Sequence, residues 1–215
     1  MIKENLHKIL EVLPSTVKLV VVSKFRPIEQ LVEVHETGQR DFAENRVQEL
    51  FDKYKKLPKD ILWHMIGHLQ SNKVKYIAPF IHLIHSLDSI ELADEINKQA
   101  IKNGRTIRVL LQFHVAKEES KFGFNPEDSQ NIARQVSSFS NIEVSGIMGM
   151  ATLTDDNNLI RKEFEQLKTI FDALKNTVGK DNPAFDTLSM GMSSDFKIAA
   201  EAGSNLVRIG SLVFE

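Results

Sequence analysis

The feature that most restricts this chain is an alternation: short apolar runs of strand length recur from end to end, and helical patterns with their own start and stop signals fill the gaps. The runs are Lys18–Val22, Asp41–Ala43, Leu62–Ile66, Ile81–His85, Ile107–Val115, Glu143–Met148, Phe185–Leu188 and Leu206–Ile209. Pro27 opens a helix that ends before Gly38, Ser89 starts one that stops before Gly104, and Pro126 opens another. The longest runs from Asn157 to Val178 and is closed by Gly179. Strands separated by helices imply parallel pairing through right-handed crossovers, and eight strands are the number that closes a TIM-type (β/α)8 barrel. An open doubly wound sheet is the alternative with the same alternation.

The chain ends differ from a plain barrel. A helix over residues 3–13 precedes the first strand, while only six residues follow the last, too few for a closing helix. The extra N-terminal helix is therefore expected to cover the closing seam. With 215 residues, 42% of them hydrophobic, one core is expected, and 1–215 reads as a single domain. The 27 basic and 29 acidic residues are interspersed and leave a net charge of -2, so nothing points to nucleic acid or a membrane surface as partner. The chain has no cysteine, which excludes disulfides, thiolate metal sites and cysteine nucleophiles and suits the reducing cytoplasm, the expected location. The N-terminal MIKENLHKIL interleaves charges with apolar residues, as an amphipathic helix does and a signal peptide does not. No apolar run approaches membrane-spanning length.

Chemistry concentrates at two places. Lys24 ends the first strand in VVSKFRP, with the strand parity of Val20 and Val22, so it is expected inside the C-terminal mouth of a barrel. Partial burial there lowers an amine's pKa and frees it as an imine-forming nucleophile; the other reading is a solvated strand-end lysine. The second place is the C-terminal segment LSMGMSSDFKIAAEAG, which runs from a strand through a glycine turn into a helix capped by Ser193 or Ser194, with Asp195 in its first turn. Strand eight follows as NLVRIGS, where Gly210 permits close backbone approach and Ser211 adds a hydroxyl. Loops after strands seven and eight are where barrels commonly hold phosphate, although a turn of this kind also serves as an ordinary helix cap. Arg208 shares parity with Gly210 and needs a partner inside the mouth, either a ligand or a carboxylate such as Glu44.

Other candidates are weaker. His64 and His68 are four residues apart, which on a strand is about 13 Å, too far for one metal ion. His82 and His85 fall on opposite strand faces, so no metal site is expected. Gly146 and Gly149 make no dinucleotide fingerprint. The methionines at 148, 150, 190 and 192 read as packing or pocket-lining residues.

Several ordered motifs together carry a resemblance: VVSKFRP (21–27), FAENRVQE (42–49), WHMIGHLQSNKVK (63–75), HSLDS (85–89), EESKFG (118–123), LSMGMSSD (188–195) and VRIGS (207–211). Over nearly its whole length the chain resembles the pyridoxal phosphate homeostasis proteins, single-domain relatives of the alanine racemase N-terminal barrel with the pyridoxal phosphate fold type III. The resemblance implies pyridoxal 5'-phosphate held as an internal aldimine on Lys24, its phosphate on Ser189, Ser193 and the Gly210–Ser211 backbone. It further implies Arg208 at the pyridine nitrogen and Asn45 lining the pocket. Lys121 lies in another family motif whose role is less clear, with a salt bridge as the plain alternative. Two departures stand out: Ala43 replaces the usual glycine of FGEN, and the last motif reads RIGSLVFE in place of RIGTAIFG.

An arginine at the pyridine nitrogen disfavours its protonation and weakens the ring as an electron sink, which points to a carrier rather than an amino-acid enzyme. The related racemases also use a tyrosine from a second, β-rich domain across a dimer. This chain is expected to lack that domain and to be a monomer, and Tyr54 and Tyr76 fall in helical segments. The expected partners are the cofactor itself and, on delivery, apo-enzymes that depend on it. Two other readings compete: a racemase or lyase using His64 or His114 as base, and an aldolase-like lysine acting on a sugar phosphate.

Overall fold

A computed structural model describes residues 1–118 and 122–215. Eight parallel strands pair in sequence order and close on themselves: β1 (Lys18–Val22), β2 (Asp41–Glu44), β3 (Leu62–Met65), β4 (Leu83–Leu87), β5 (Ile107–Gln112), β6 (Ile142–Met148), β7 (Thr187–Ser189) and β8 (Leu206–Ile209). Closure is made by β1 and β8, which pair from Lys18 opposite Leu206 to Val21 opposite Ile209. This is the barrel expected from the alternation, and the open sheet is set aside. Around it lie α1 (Ile2–Val12), α2 (Ile28–Glu36), α3 (Val47–Lys56), α4 (Val74–Ile77), α5 (Ile90–Lys102), α6 (Ser129–Ser137), α7 (Asn157–Lys175), α8 (Phe196–Glu201) and α9 (Ser211–Phe214).

Local chemistry sets these boundaries. Ser89 caps α5 by accepting the Leu92 N–H, and Asp156 caps α7 by accepting those of Asn158 and Leu159. Helix α7 buries Ile160, Phe164, Leu167, Phe171 and Leu174 at spacings of three and four, which lays one apolar stripe on the barrel wall. The strands are near-continuous in apolar residues because both of their faces are covered.

Three expectations need correction. β4 and β7 each begin two residues later than the apolar runs suggest, because Ile81 and Phe185 are buried outside the strands, Phe185 against Phe171 with ring centres 5.5 Å apart. Apolarity marked burial there, and backbone pairing starts further on. Helix α7 stops at Lys175, short of Val178, and the segment before β7 folds into turns. The last residues do form a helix, the single turn α9, and α1 packs on α9 and α2; Asn5 donates to the Val213 carbonyl at 3.4 Å. The N-terminal helix thus covers the β8–β1 seam together with that turn. No described helix is long and apolar enough to cross a membrane.

Inside the strands, the core divides. Val20, Val22, Ala43 and Leu206 make one small apolar cluster and Leu83, Leu110 and Met148 another. The buried polar residues His64, His85, Ser189 and Arg208 share this interior. The main hydrophobic core lies outside, between strands and helices.

Gly146 marks the tightest point in the wall. Its φ is +147°, a Cβ there would fall 1.8 Å from the Thr187 carbonyl oxygen, and the β5–β6 register slips beside it. Gly146→Ala is expected to destabilise the fold by more than about 3 kcal/mol, read as a drop in the urea midpoint. A loss below about 1 kcal/mol would show that β6 and β7 separate easily.

Candidate functional site

The residue after the first strand is held from both sides. Ser23 donates its backbone N–H to the Ala43 carbonyl at 2.9 Å and its hydroxyl to Glu44 Oε1 at 2.7 Å. Its carbonyl accepts from Lys53 Nζ at 2.7 Å. On the other side, the Phe25 N–H donates to Glu49 Oε2 at 3.2 Å, and the Arg46 guanidinium lies over the Phe25 ring at 5.4 Å. Between these anchors stands Lys24, in a turn where Phe25 adopts a left-handed φ of 62°. A non-glycine residue held there costs on the order of 1–3 kcal/mol, and the anchors on β2 and α3 offset that strain. Lys24 is exposed, not partly buried as its strand parity suggested, because β1 ends at Val22.

The anchoring cluster accounts for much of the FAENRVQE segment. Glu44 is fully buried and pairs with Lys53 at 2.5 Å; burial pushes its carboxyl up, against the pull of the Lys53 ammonium. The carboxylate expected as an alternative partner for Arg208 is therefore spent on Lys53 and Ser23. Next to it, Asn45 faces the mouth with its side-chain oxygen buried and lacking a hydrogen-bond partner. Gly67 lies against the Asn45 backbone so closely that a Cβ would fall 2.2 Å from the Asn45 carbonyl oxygen.

A cavity of about 800 Å3 opens at the C-terminal mouth of the barrel, and Lys24, Asn45, Ser193, Arg208, Gly210 and Ser211 all line it. Ser194 lines it too. The loops after β7 and β8 meet where the Gly210 N–H donates to Ser193 Oγ at 3.3 Å. Asp195 occupies the cap position of α8, outside its first turn, and its Oδ1 accepts the Met192 N–H at 2.6 Å, which closes the serine turn. Ser189 is the exception among the expected residues. Its hydroxyl is fully buried below the cavity, where it accepts from Arg208 Nη1 at 2.5 Å. Arg208 also donates to the Gly149 carbonyl at 3.1 Å, and burial lowers its pKa to about 10, still well above neutrality.

Sequence reasoning missed part of the rim. Gln112 lines the cavity and donates to the Phe122 carbonyl at 2.7 Å, while the Phe122 ring stacks on His68 with centres 3.8 Å apart. The signal for Gln112 was a polar residue with the inward parity of Leu110 at the C-terminal end of a strand. Lys121 and the centre of the EESKFG motif lie outside the described residues. Tyr54 and Tyr76 are on α3 and α4, as expected, and Tyr54 stacks on Phe80.

Below Arg208 a line of polar groups descends the barrel. Ser189 Oγ is 3.0 Å from His85 Nδ1, His85 Nε2 is 2.8 Å from His64 Nδ1, and His64 Nε2 is 3.0 Å from Asp41 Oδ1. The two ends decide the protons in between. Arginine only donates and an ionised aspartate only accepts, so each group donates once toward Asp41: Arg208 to Ser189, Ser189 to His85, His85 to His64, His64 to Asp41. Both imidazoles are then neutral with the proton on Nε2. Burial pushes both below their ordinary value of 6.5, and neighbouring positive charge lowers His85 further. Burial pushes Asp41 up, but the hydrogen bond from His64 and the nearby Lys18 ammonium outweigh it and leave the carboxyl lowered, hence ionised.

The chain matches the family model for the alanine racemase N-terminal domain over residues 1–215. It is 41% identical over 198 residues to the pyridoxal phosphate homeostasis protein of Aquifex aeolicus, covering 92% of this chain and 86% of that one. Among solved structures it is similar to PipY of Synechococcus elongatus without pyridoxal phosphate, with a TM-score of 0.94 and 33% identity over the full length of both chains. The same protein with pyridoxal phosphate bound gives a TM-score of 0.90, also over both full lengths.

Two outcomes test the buried line. His64, His82 and His85 are all depressed from 6.5 by burial, His82 to about 4, whereas the unfolded chain protonates them near 6.5. Their contribution to stability is complete above that value and is lost as pH falls toward 4, so the urea midpoint is expected to fall steadily over that window. A flat midpoint would mean the imidazoles are not held neutral. Replacing His85 by Phe keeps the volume and removes both ring nitrogens, leaving Ser189 and His64 each short of a partner. The expected cost is about 2–4 kcal/mol in chemical denaturation; an unchanged midpoint would show that water replaces the ring.

Proposed function

This chain belongs to the pyridoxal phosphate homeostasis protein family, and on that premise we propose that its mouth holds pyridoxal 5'-phosphate and that the protein stores, buffers or delivers it. The residues present fit that group. A primary amine on Lys24, a buried oxygen without a partner on Asn45, a guanidinium on Arg208 and a cup of hydroxyl and N–H groups line one cavity. That convergence of Lys24, Arg208 and the Ser193–Gly210–Ser211 loops is the observation that carries the reading. When bound, pyridoxal phosphate supplies an aldehyde that condenses with a primary amine and a ring that can take up electron density.

The side chains divide the work. Lys24 would supply the primary amine that condenses with the aldehyde, from a backbone turn braced by β2 and α3 that fixes where its side chain emerges. Ser193, Ser211 and the Gly210 N–H would hold the phosphate oxygens; at present the Gly210 N–H donates to Ser193 Oγ at 3.3 Å. Ser194 adds a further hydroxyl. Ser189 acts at one remove, by holding Arg208. Arg208 keeps its own protons, even depressed to about 10, and can only donate to the ring nitrogen. An arginine in that position would disfavour protonation of the ring nitrogen and so weaken the ring as an electron sink for amino-acid chemistry.

A carrier also needs an entrance, and exposure of Lys24 and Phe25 at the rim leaves one open. A monomer that gives up the cofactor to apo-enzymes in the cytoplasm is the form this reading takes. Of the two bases of the enzyme alternative, His64 opens toward the other end of the barrel, and neither it nor His114 lines the mouth.

Incubation with pyridoxal phosphate, borohydride reduction and peptide mass mapping is expected to put a pyridoxyl label on Lys24. Lys24→Ala is expected to lose both the label and the yellow colour. A label confined to another lysine defeats the assignment of Lys24. Turnover of any amino acid in a racemase and transaminase panel, above the Lys24→Ala background, defeats the carrier role.

A further inference from the structure

The opposite end of the barrel carries a second constellation. Asp41, His64 and His82 come from β2, β3 and the residue just before β4, and each offers one ligand atom, all within 4.8 Å of one another. His64 Nε2 is already 3.0 Å from Asp41 Oδ1, close to the spacing of two ligands on one tetrahedral ion. The His82 ring sits 5.3 Å from that of His64, on a backbone fastened by its N–H to the Trp63 carbonyl at 2.9 Å. His82 is only half-buried, so its ring is free to turn inward. A separate cavity of about 240 Å3, bordered by Thr16, Lys18, His64, His82 and Arg108, gives access from solvent.

We propose that Asp41, His64 and His82 form a binding site for one divalent transition-metal ion of the zinc class at the floor of the barrel, with the fourth position open to that cavity. Two imidazole nitrogens and one carboxylate oxygen are a borderline donor set suited to Zn2+, Ni2+ or Co2+ and poor for Mg2+ or Ca2+. The absence of cysteine removes the thiolates that would otherwise compete for such an ion. Residues 41, 64 and 82 follow no ligand spacing in sequence; parallel pairing of β2, β3 and β4 brings them together. The pairwise spacing that argued against a metal along one strand does not apply across three.

One feature of the surroundings favours a regulated site over a permanent one. Lys18 places its ammonium 3.5 Å from Asp41 Oδ1, where it supplies a cation while no metal is bound; its side chain is 54% exposed and can swing away. Arg108 is already turned to Glu143 at 3.0 Å and Ser145 at 2.9 Å. The second ring nitrogen of His64 meets His85, which is the outer contact that orients a metal-bound imidazole.

Metal on His64 Nε2 would reverse the buried hydrogen-bond line without any change of conformation. His64 must then carry its proton on Nδ1 and donate to His85 Nε2, and His85 must carry its own on Nδ1 and donate to Ser189. Each imidazole keeps one proton, moved from one ring nitrogen to the other. Ser189 then accepts from both His85 and Arg208, and its hydroxyl hydrogen is released from the line. The floor and the mouth are thereby joined through Arg208, whatever ligand the mouth holds.

The test uses the full chain free of cofactor, titrated with Zn2+ by calorimetry and with Co2+ by visible absorption. One equivalent is expected to bind, with Co2+ giving the intense bands of a four-coordinate site. His82→Ala is expected to weaken binding by about 100-fold or more, beyond what loss of an outer-shell partner causes. Lys18→Ala is expected to tighten it by about tenfold or more as the competing ammonium is removed. His7→Ala, which removes an exposed i,i+4 pair with Glu11 on α1, is expected to change nothing. Nitrogen NMR of the His85 ring should report the proton moving from Nε2 to Nδ1 as Zn2+ is added. Asp41→Asn gives a second reading of ligand loss should His82→Ala not fold. The proposal is overturned if no binding is detected, if it survives both ligand substitutions, or if Lys18→Ala weakens it.

Discussion

Everything at the mouth depends on the parallel pairing of β1 with β8. Val20 lies opposite Arg208 and Val21 opposite Ile209, so the turn carrying Lys24 and the Gly210–Ser211 turn leave neighbouring strands at the same height. Residues nearly the length of the chain apart become one wall of one cavity. Closing so long a loop carries an entropic cost that the β1–β8 pairing must offset. The seam is correspondingly reinforced: α1 packs over α9, Arg26 reaches Glu215 at 2.7 Å, and the Arg26 guanidinium lies over Phe214 at 5.2 Å. The exposed ion pair adds little by itself; the packing of α1 and α9 carries most of that reinforcement.

Buried charge is handled by two different devices. Lys53 and Glu44 are an ion pair sealed between α3 and β2, further bonded to Ser23, and such a pair contributes geometry more than stability because its desolvation offsets its attraction. Its product is the fixed position of the backbone on either side of Lys24. Arg208 is solved otherwise: its donors meet neutral oxygens, and the polarisation runs on through Ser189, His85 and His64 to an anion at the floor. Spreading the response along a line of neutral groups keeps the guanidinium charged without fastening a carboxylate to it, so its face toward the cavity stays available to a ligand.

The alternation of runs and helices made the barrel legible, because a buried parallel strand is apolar on both faces and its neighbours must be helices. Lys24, Arg208 and Gly210 were legible as well, from strand parity at the ends of β1 and β8. What parity could not carry was the end of a strand: β1 stops at Val22, so Lys24 leaves the wall and is exposed where an inward, half-buried side chain was expected. Ser189 lies deeper than expected for the opposite reason, since β7 extends to it and turns its hydroxyl into the interior below the cavity. The buried histidines were judged by distance along single strands, and the relation that matters runs across β2, β3 and β4, which no local spacing encodes.

On the proposed carrier reading, a protein that binds a reactive aldehyde in order to release it must keep capture cheap to reverse, and the mouth is suited to that. The backbone at Lys24 is strained and braced, which fixes where the amine emerges, yet the side chain itself is in solvent and loses its freedom only on binding. That entropy loss, of up to about 2 kcal/mol for a lysine, weakens the grip by a matching amount. A buried, preorganised lysine would hold more tightly and exchange more slowly. The same logic separates the two loops of the proposed phosphate cup, which are joined by one long hydrogen bond of 3.3 Å between Ser193 and Gly210 in place of a rigid nest. Precision is assigned to the backbone and to Arg208, and adaptability to the groups that must let go.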